Sequence, residues 1–274
     1  MGITKKKKIQ DPLETTMSLG DHLEELRARL ILALLGLAIG IIVCMFLGGK
    51  IISVIEVPYK DAMGENARMI TISPGEGFSS YFKITLIAGL ILTAPWVFYQ
   101  LWMFVAAGLY PHERKYVQIA VPFSAVLFIT GALFFLFVVA PKALKFLVLF
   151  NKQFLNVESA FTFPNYISFV TMLMLVFGLA FQTPIAIFVL NRTGLVSIKT
   201  FCKSRKYMIV AVVAIAAVVT PGPDPVSQIS LAIPLYALFE LGILLSWITE
   251  HRKQKKLASS STQIHPDEEF NKKK

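Results

Sequence analysis

Charge is scarce in this chain. Only 16% of its 274 residues are Asp, Glu, Lys or Arg, against 55% hydrophobic and a mean hydropathy of +0.64. A water-soluble fold of that composition would expose far too much apolar surface, so an integral membrane protein is expected. Cysteine is scarcer still, with Cys44 inside the first apolar run and Cys202 in a basic loop. The topology below sets them on opposite sides of a membrane, which excludes a disulfide framework. Enzymatic signatures are missing too. Around Gly49-Lys50, Cys44 and Ile51 replace the glycine and Ser/Thr of a phosphate-binding loop. No His-Glu-x-x-His or G-x-S-x-G pattern occurs, and His22, His112, His251 and His265 all lie outside the apolar runs. With no paired cysteines or axial ligands, neither enzyme activity nor a cofactor is expected. No internal repeat is visible, which argues against inverted-repeat transporters.

What the chain does have is six apolar runs, each read as a helix because lipid offers an open backbone no hydrogen-bond partner. They cover residues 30–47, 84–109, 117–141, 159–191, 208–219 and 226–248. Pro95 predicts a kink in the second, Pro122 lies in the third, and the fourth begins in earnest near Asn165. The fifth has only twelve apolar residues before the turn Thr-Pro-Gly-Pro-Asp-Pro225, and the sixth is interrupted by Pro234 and Glu240. So short a pair calls for local bilayer thinning or cover from partner helices. Two mixed connectors, 48–83 and the one holding Lys142, Lys145, Lys152 and Glu158, join the runs on one side.

The net charge of +10 follows this topology, not nucleic-acid binding. With the amino terminus inside, twenty of the 27 Lys and Arg fall on the same side as both termini. That places both termini in the cytoplasm or its equivalent. The domain plan is a cytoplasmic tail (1–17), a six-helix membrane domain (18–248) and a disordered cytoplasmic tail (249–274). The first apolar run lacks a signal-peptidase-like end and is expected to stay as a membrane helix.

The stretch from Ser18 to Leu30 organises the rest. Ser18 and Asp21 form a capping-box pattern, acids precede Arg27 and Arg29, and Leu19, Leu23, Leu26 and Leu30 share a face. It reads either as an amphipathic lead-in or as a platform holding Glu25 beside the bilayer. Pro111-His-Glu-Arg-Lys115 opens the third helix, so Glu25 and Glu113 are both first-turn acids on a basic cytoplasmic rim. Two carboxylates on different helices would grip adjacent arginines, because guanidinium pairs bidentately with carboxylate. Gln182 suits either an interhelical hydrogen bond or partner docking. Glu240 is an intramembrane acid, either paired with a cytoplasmic base or functional. Asp224 caps the sixth helix or shapes the turn.

Several separated motifs resemble the TatC family, the core receptor subunit of the twin-arginine protein translocase. In order they are DHLEELRAR (21–29), SPGEGF (73–78), AP (94–95), YQLW (99–102), GLYPHER (108–114), FGLAFQTP (177–184), TPGPD (220–224) with Gln228, AIP (232–234) and Phe239-Glu240. The resemblance implies an all-α, cup-shaped bundle of six membrane helices with short helices 5 and 6. It implies export of folded proteins driven by the proton-motive force, from a bacterial inner membrane or a thylakoid. The partners implied are twin-arginine signal peptides, TatA/TatB-type single-helix subunits, further copies of the chain and membrane lipid. By the same resemblance, Glu25, Arg27, Phe104 and Glu113 are signal-peptide residues and Gln182, Asp224 and Gln228 face partner subunits. Pro58 and Glu240 are structural. Ala107 stands where the family commonly has proline. A rival reading from the residues alone is a proton- or ion-coupled small-solute transporter built on Glu240 and Gln182; a third is a structural membrane anchor.

Overall fold

The computed structural model describes residues 19–108, 114–157, 159–219 and 225–263, and these are helical apart from short connections and one isolated bridge. The helices are α1 (Leu19–Phe46), α2 (Gly48–Ile55), α3 (Val57–Met63), α4 (Glu76–Ala107), α5 (Arg114–Phe134), α6 (Ala140–Phe150), α7 (Phe163–Ala180), α8 (Thr183–Arg192), α9 (Ile198–Lys203), α10 (Arg205–Val219) and α11 (Pro225–Gln263). Among the described residues, five stretches are long and apolar enough to cross a membrane: His22–Phe46, Glu76–Ala107, Gln118–Leu155, Phe163–Arg192 and Gln228–His251. The sixth expected run is α10, whose 15 residues make about 22 Å of helix at ~1.5 Å per residue.

The helix limits differ from the sequence expectation in four places, each with a local cause. The third run does not stop at Pro141. Wider π-type turns at Phe135–Val139 lead into α6, so the ring of Pro141 and its missing N–H fall at a helix start, where they are tolerated. Lys142, Lys145 and Lys152 are therefore helical, not part of a connector. The fourth run is broken at Phe181–Gln182 because Pro184, in the first turn of α8, has no N–H to continue the ladder. The second helix begins at Glu76, so Lys83 lies inside it, and the remaining connector folds partly into α2 and α3. Finally, α11 runs unbroken past Pro234 and Glu240 and on to Gln263, into the stretch expected as a disordered tail. Residues 249–263 contain neither Gly nor Pro to stop it.

The centre of the bundle is the third span. Half of its most apolar window is buried, against 11% for α1, so α1 is a peripheral helix and α5–α6 the hub. Phe135, Leu136 and Leu144 pack with Ile167, Val170, Leu173 and Phe177 of α7, while α4 adds Ile84 and α11 adds Leu231. With lipid on the outside, such contacts hold through close packing, not exclusion of water. Cys44 and Cys202 are both free thiols.

At the end away from the amino terminus, α3 is pressed against α6, and Pro58 and Tyr59 are buried there. Burial, and secondarily the Glu56 carboxylate, push the Tyr59 phenol above its usual range. Across this cap the Ile70 N–H donates to the Phe161 carbonyl and the Ile70 carbonyl accepts from the Phe163 N–H, a single parallel bridge to Thr162. Tyr166 donates to the Ile55 carbonyl at 2.6 Å with its side chain fully buried. Tyr166→Phe leaves that carbonyl short of a partner, and a loss of about 1–3 kcal/mol is expected. A lower thermal midpoint of the detergent-solubilised protein would show it.

Candidate functional site

The amino-terminal end of the bundle is built where α1 lies along α4. Two glycines let the helices meet. A Cβ on Gly89 would lie 2.9 Å from the Ile41 backbone, and one on Gly40 would collide with the Thr93 methyl. Small residues at crossings of this kind allow backbones to approach closely. The Trp96 indole N–H then donates to the Leu32 carbonyl at 2.9 Å, locking the register.

That register brings five side chains together on successive helical turns. Glu25 Oε1 accepts from Arg29 Nε at 2.7 Å, and Arg29 Nη1 donates to Gln100 Oε1 at 3.2 Å. Gln100 is 2% exposed, so the arginine is anchored by a rigid amide. Below them the His22 ring stacks on Phe104, centroids 4.6 Å apart and planes 24° from parallel. Arg27 projects outward and is exposed. Glu25 falls in the second turn of α1, not the first. Its Oε2 has no protein partner among the described residues. Both members of the Glu25–Arg29 pair retain about a quarter of their side-chain exposure. Pairs at that exposure contribute roughly 0–1 kcal/mol, so the carboxylate can be exchanged to another guanidinium at small cost.

The structure thus places Glu25 and Phe104 on one α1–α4 edge. Glu113 and Asp224 lie outside the described residues. His22, Arg29 and Gln100 were not singled out from the sequence, although the Glu25–Arg29 spacing of four is a standard helical pair. Gln100 carries no such local signal. Its partner is 71 positions away.

Three more polar side chains singled out from the sequence, Gln182, Glu240 and Gln228, are hydrogen-bonded within the chain. Gln182 Nε2 donates to the Ser124 carbonyl at 2.9 Å, and Trp102 Nε1 donates to the Ser124 hydroxyl at 2.8 Å, so one fully buried serine joins three helices. Glu240 accepts from Arg205 Nη2 at 2.8 Å and from the Tyr236 hydroxyl at 2.7 Å. Gln228 Nε2 donates to the Val213 carbonyl at 3.0 Å, pinning the start of α11 to α10.

Comparison with known proteins sets this arrangement in a family. The family described as "Sec-independent protein translocase protein (TatC)" matches residues 21–234. The TatC protein of Aquifex aeolicus is 35% identical over 238 residues, 87% of this chain and 98% of that one. The Escherichia coli K12 protein is 35% identical over 234 residues, 85% of this chain and 90% of that one. The chloroplast TATC of Pisum sativum is 37% identical over 228 residues, 83% of this chain and 63% of that one. Among solved structures, a crystal structure of the twin-arginine translocase receptor TatC matches with a TM-score of 0.74 at 35% identity, covering 83% of this chain and 98% of that one. A second crystal structure of that receptor, in the detergent DDM, gives 0.75 at 36% identity, covering 82% and 99%.

Proposed function

Because this chain belongs to the TatC family, membrane proteins of the Sec-independent protein translocase, we propose that its α1–α4 edge holds the arginine pair of a twin-arginine signal peptide. The observation that supports this most is the half-satisfied carboxylate of Glu25. One oxygen is steadied by Arg29, itself held by Gln100, while the other is open to a guanidinium. Arginine gains over lysine here because a planar fork can engage carboxylate and stack beside the His22–Phe104 rings. Glu113, one residue before α5 in the sequence, supplies the second carboxylate in this reading. The exposed Arg27, two residues from Glu25 on α1, donates in this reading to carbonyl oxygens of the bound peptide backbone.

In this reading the amino-terminal end faces the cytoplasm, or the stroma in a plastid, and both termini lie on that side. TatA/TatB-type single-helix subunits and further copies of the chain dock in the membrane. Gln182 and Gln228, tied to Ser124 and Val213, would shape the surfaces those subunits meet, together with Asp224. The proton-motive force drives the assembled complex, and no catalytic step belongs to this chain. The alternative of an ion-coupled solute transporter needs Glu240 free to bind a cation, and in this fold both its oxygens are engaged.

The reading is tested by photo-crosslinking from a reactive residue placed at the exposed Glu24. A twin-arginine peptide should crosslink strongly, a twin-lysine peptide weakly, and a Glu113→Lys chain poorly with either. Equal yields from the two peptides, or an undiminished yield with Glu113→Lys, would reject the arginine-fork mechanism.

A further inference from the structure

At the end of the bundle opposite the amino terminus, α4, α7 and the end of α10 leave a cavity of about 700 Å³. Its origin is geometric. A helix of about 22 Å cannot cover a hydrocarbon core of about 30 Å, so the wall formed by α10 ends roughly 8 Å short, at Val218 and Val219. Lys83 borders this gap, about 10 Å along α4 from Glu76. Its ammonium donates to the Ser168 hydroxyl at 2.8 Å, and Asn165 lines the same opening. No carboxylate among the described residues forms an ion pair with it.

A cation at the edge of a membrane span, held only by a hydroxyl, favours an anion that arrives from outside the chain. Beyond it the cavity is mainly apolar, lined by Ile87, Phe169, Met172 and Leu175, with Thr171 the one further polar side chain. The occupant is therefore negative at one end and hydrocarbon along the rest. We propose that this cavity is a phospholipid site. The phosphate of an anionic lipid sits on Lys83 and Ser168, and one acyl chain runs along Ile87, Phe169 and Met172 into the space that α10 leaves open. A partner helix is the rival occupant, and the crosslinking arm of the test separates the two. The site does not depend on how the opposite end recognises peptides.

The test is native mass spectrometry on the delipidated full chain in detergent, titrated separately with phosphatidylglycerol, phosphatidylcholine and inorganic phosphate. Phosphatidylglycerol should be retained, phosphatidylcholine held more weakly, and inorganic phosphate not held. Lys83→Gln should weaken phosphatidylglycerol about tenfold, the equivalent of ~1.4 kcal/mol, and Lys83→Arg should restore it. Met172→Trp, which fills the acyl path and leaves the ammonium in place, should weaken it as well. Unchanged retention by Lys83→Gln or by Met172→Trp would overturn the proposal. So would equal retention of the two lipids, binding of inorganic phosphate alone, or a photo-crosslinker at position 172 that captures a polypeptide from native membranes and no lipid.

Discussion

Glu25→Lys is expected to insert and fold yet bind twin-arginine peptide on the order of 100-fold more weakly. The substitution removes a charge-assisted hydrogen bond, worth about 1.5–3 kcal/mol, and faces the incoming guanidinium with a second cation. A factor of 100 corresponds to ~2.8 kcal/mol, within reach of those two effects together. Folding should survive because Arg29 keeps its bond to Gln100, and the Glu25–Arg29 pair, partly in solvent, contributes roughly 0–1 kcal/mol. Glu25→Gln should fall between, near tenfold, since the amide oxygen can still accept from Arg29 but carries no charge. Fluorescence anisotropy with a labelled peptide and the purified chain reads both variants. Peptide affinity within threefold of the wild type for Glu25→Lys would end the assignment of this carboxylate.

The second large effect lies far from any charge. Gly89→Leu should separate α1 from α4, because even the first side-chain carbon would sit 2.9 Å from the Ile41 backbone, which has no rotamer to turn. Gly40→Leu meets the Thr93 methyl first, a side chain able to rotate, so it should cost less. Overpacking of this kind typically costs about 1–3 kcal/mol. The consequence is larger than that figure suggests. Shifting α1 breaks the Arg29–Gln100 bond and unstacks His22 from Phe104, so peptide binding should fall together with the thermal midpoint. Gly89→Ala, with only the Cβ, should show a milder form of both. A Gly89→Leu chain that melts and binds as the wild type does would mean the recognition edge does not depend on this crossing.

Much of the molecule is readable residue by residue. Hydropathy along the chain marks the spans, because transfer of a side chain into hydrocarbon depends mainly on that side chain and its immediate neighbours. The shortness of α10 follows from counting apolar residues between Arg205 and the proline-rich turn. Glu25 could be singled out because acids are rare beside apolar runs. Helix limits were less legible. Pro141 reads as a stop, yet a wider turn just before it lets the helix continue, and hydropathy does not report turn width. Lys83 reads as the end of a connector, since a charge ends an apolar run even where the backbone stays helical.

By itself the sequence determined that this is a multi-span helical membrane protein with a basic rim and a few acids set into it. The tertiary structure alone decided what those residues do to one another. It set Arg29 between Glu25 and Gln100, gave one serine two donors from distant helices, and left Lys83 at the edge of an unfilled gap. The reason is that spanning is a local property of a segment, whereas a contact requires two segments to meet at one height and rotation. Here that meeting is set by where Gly40 and Gly89 let two backbones touch and by how far α10 falls short.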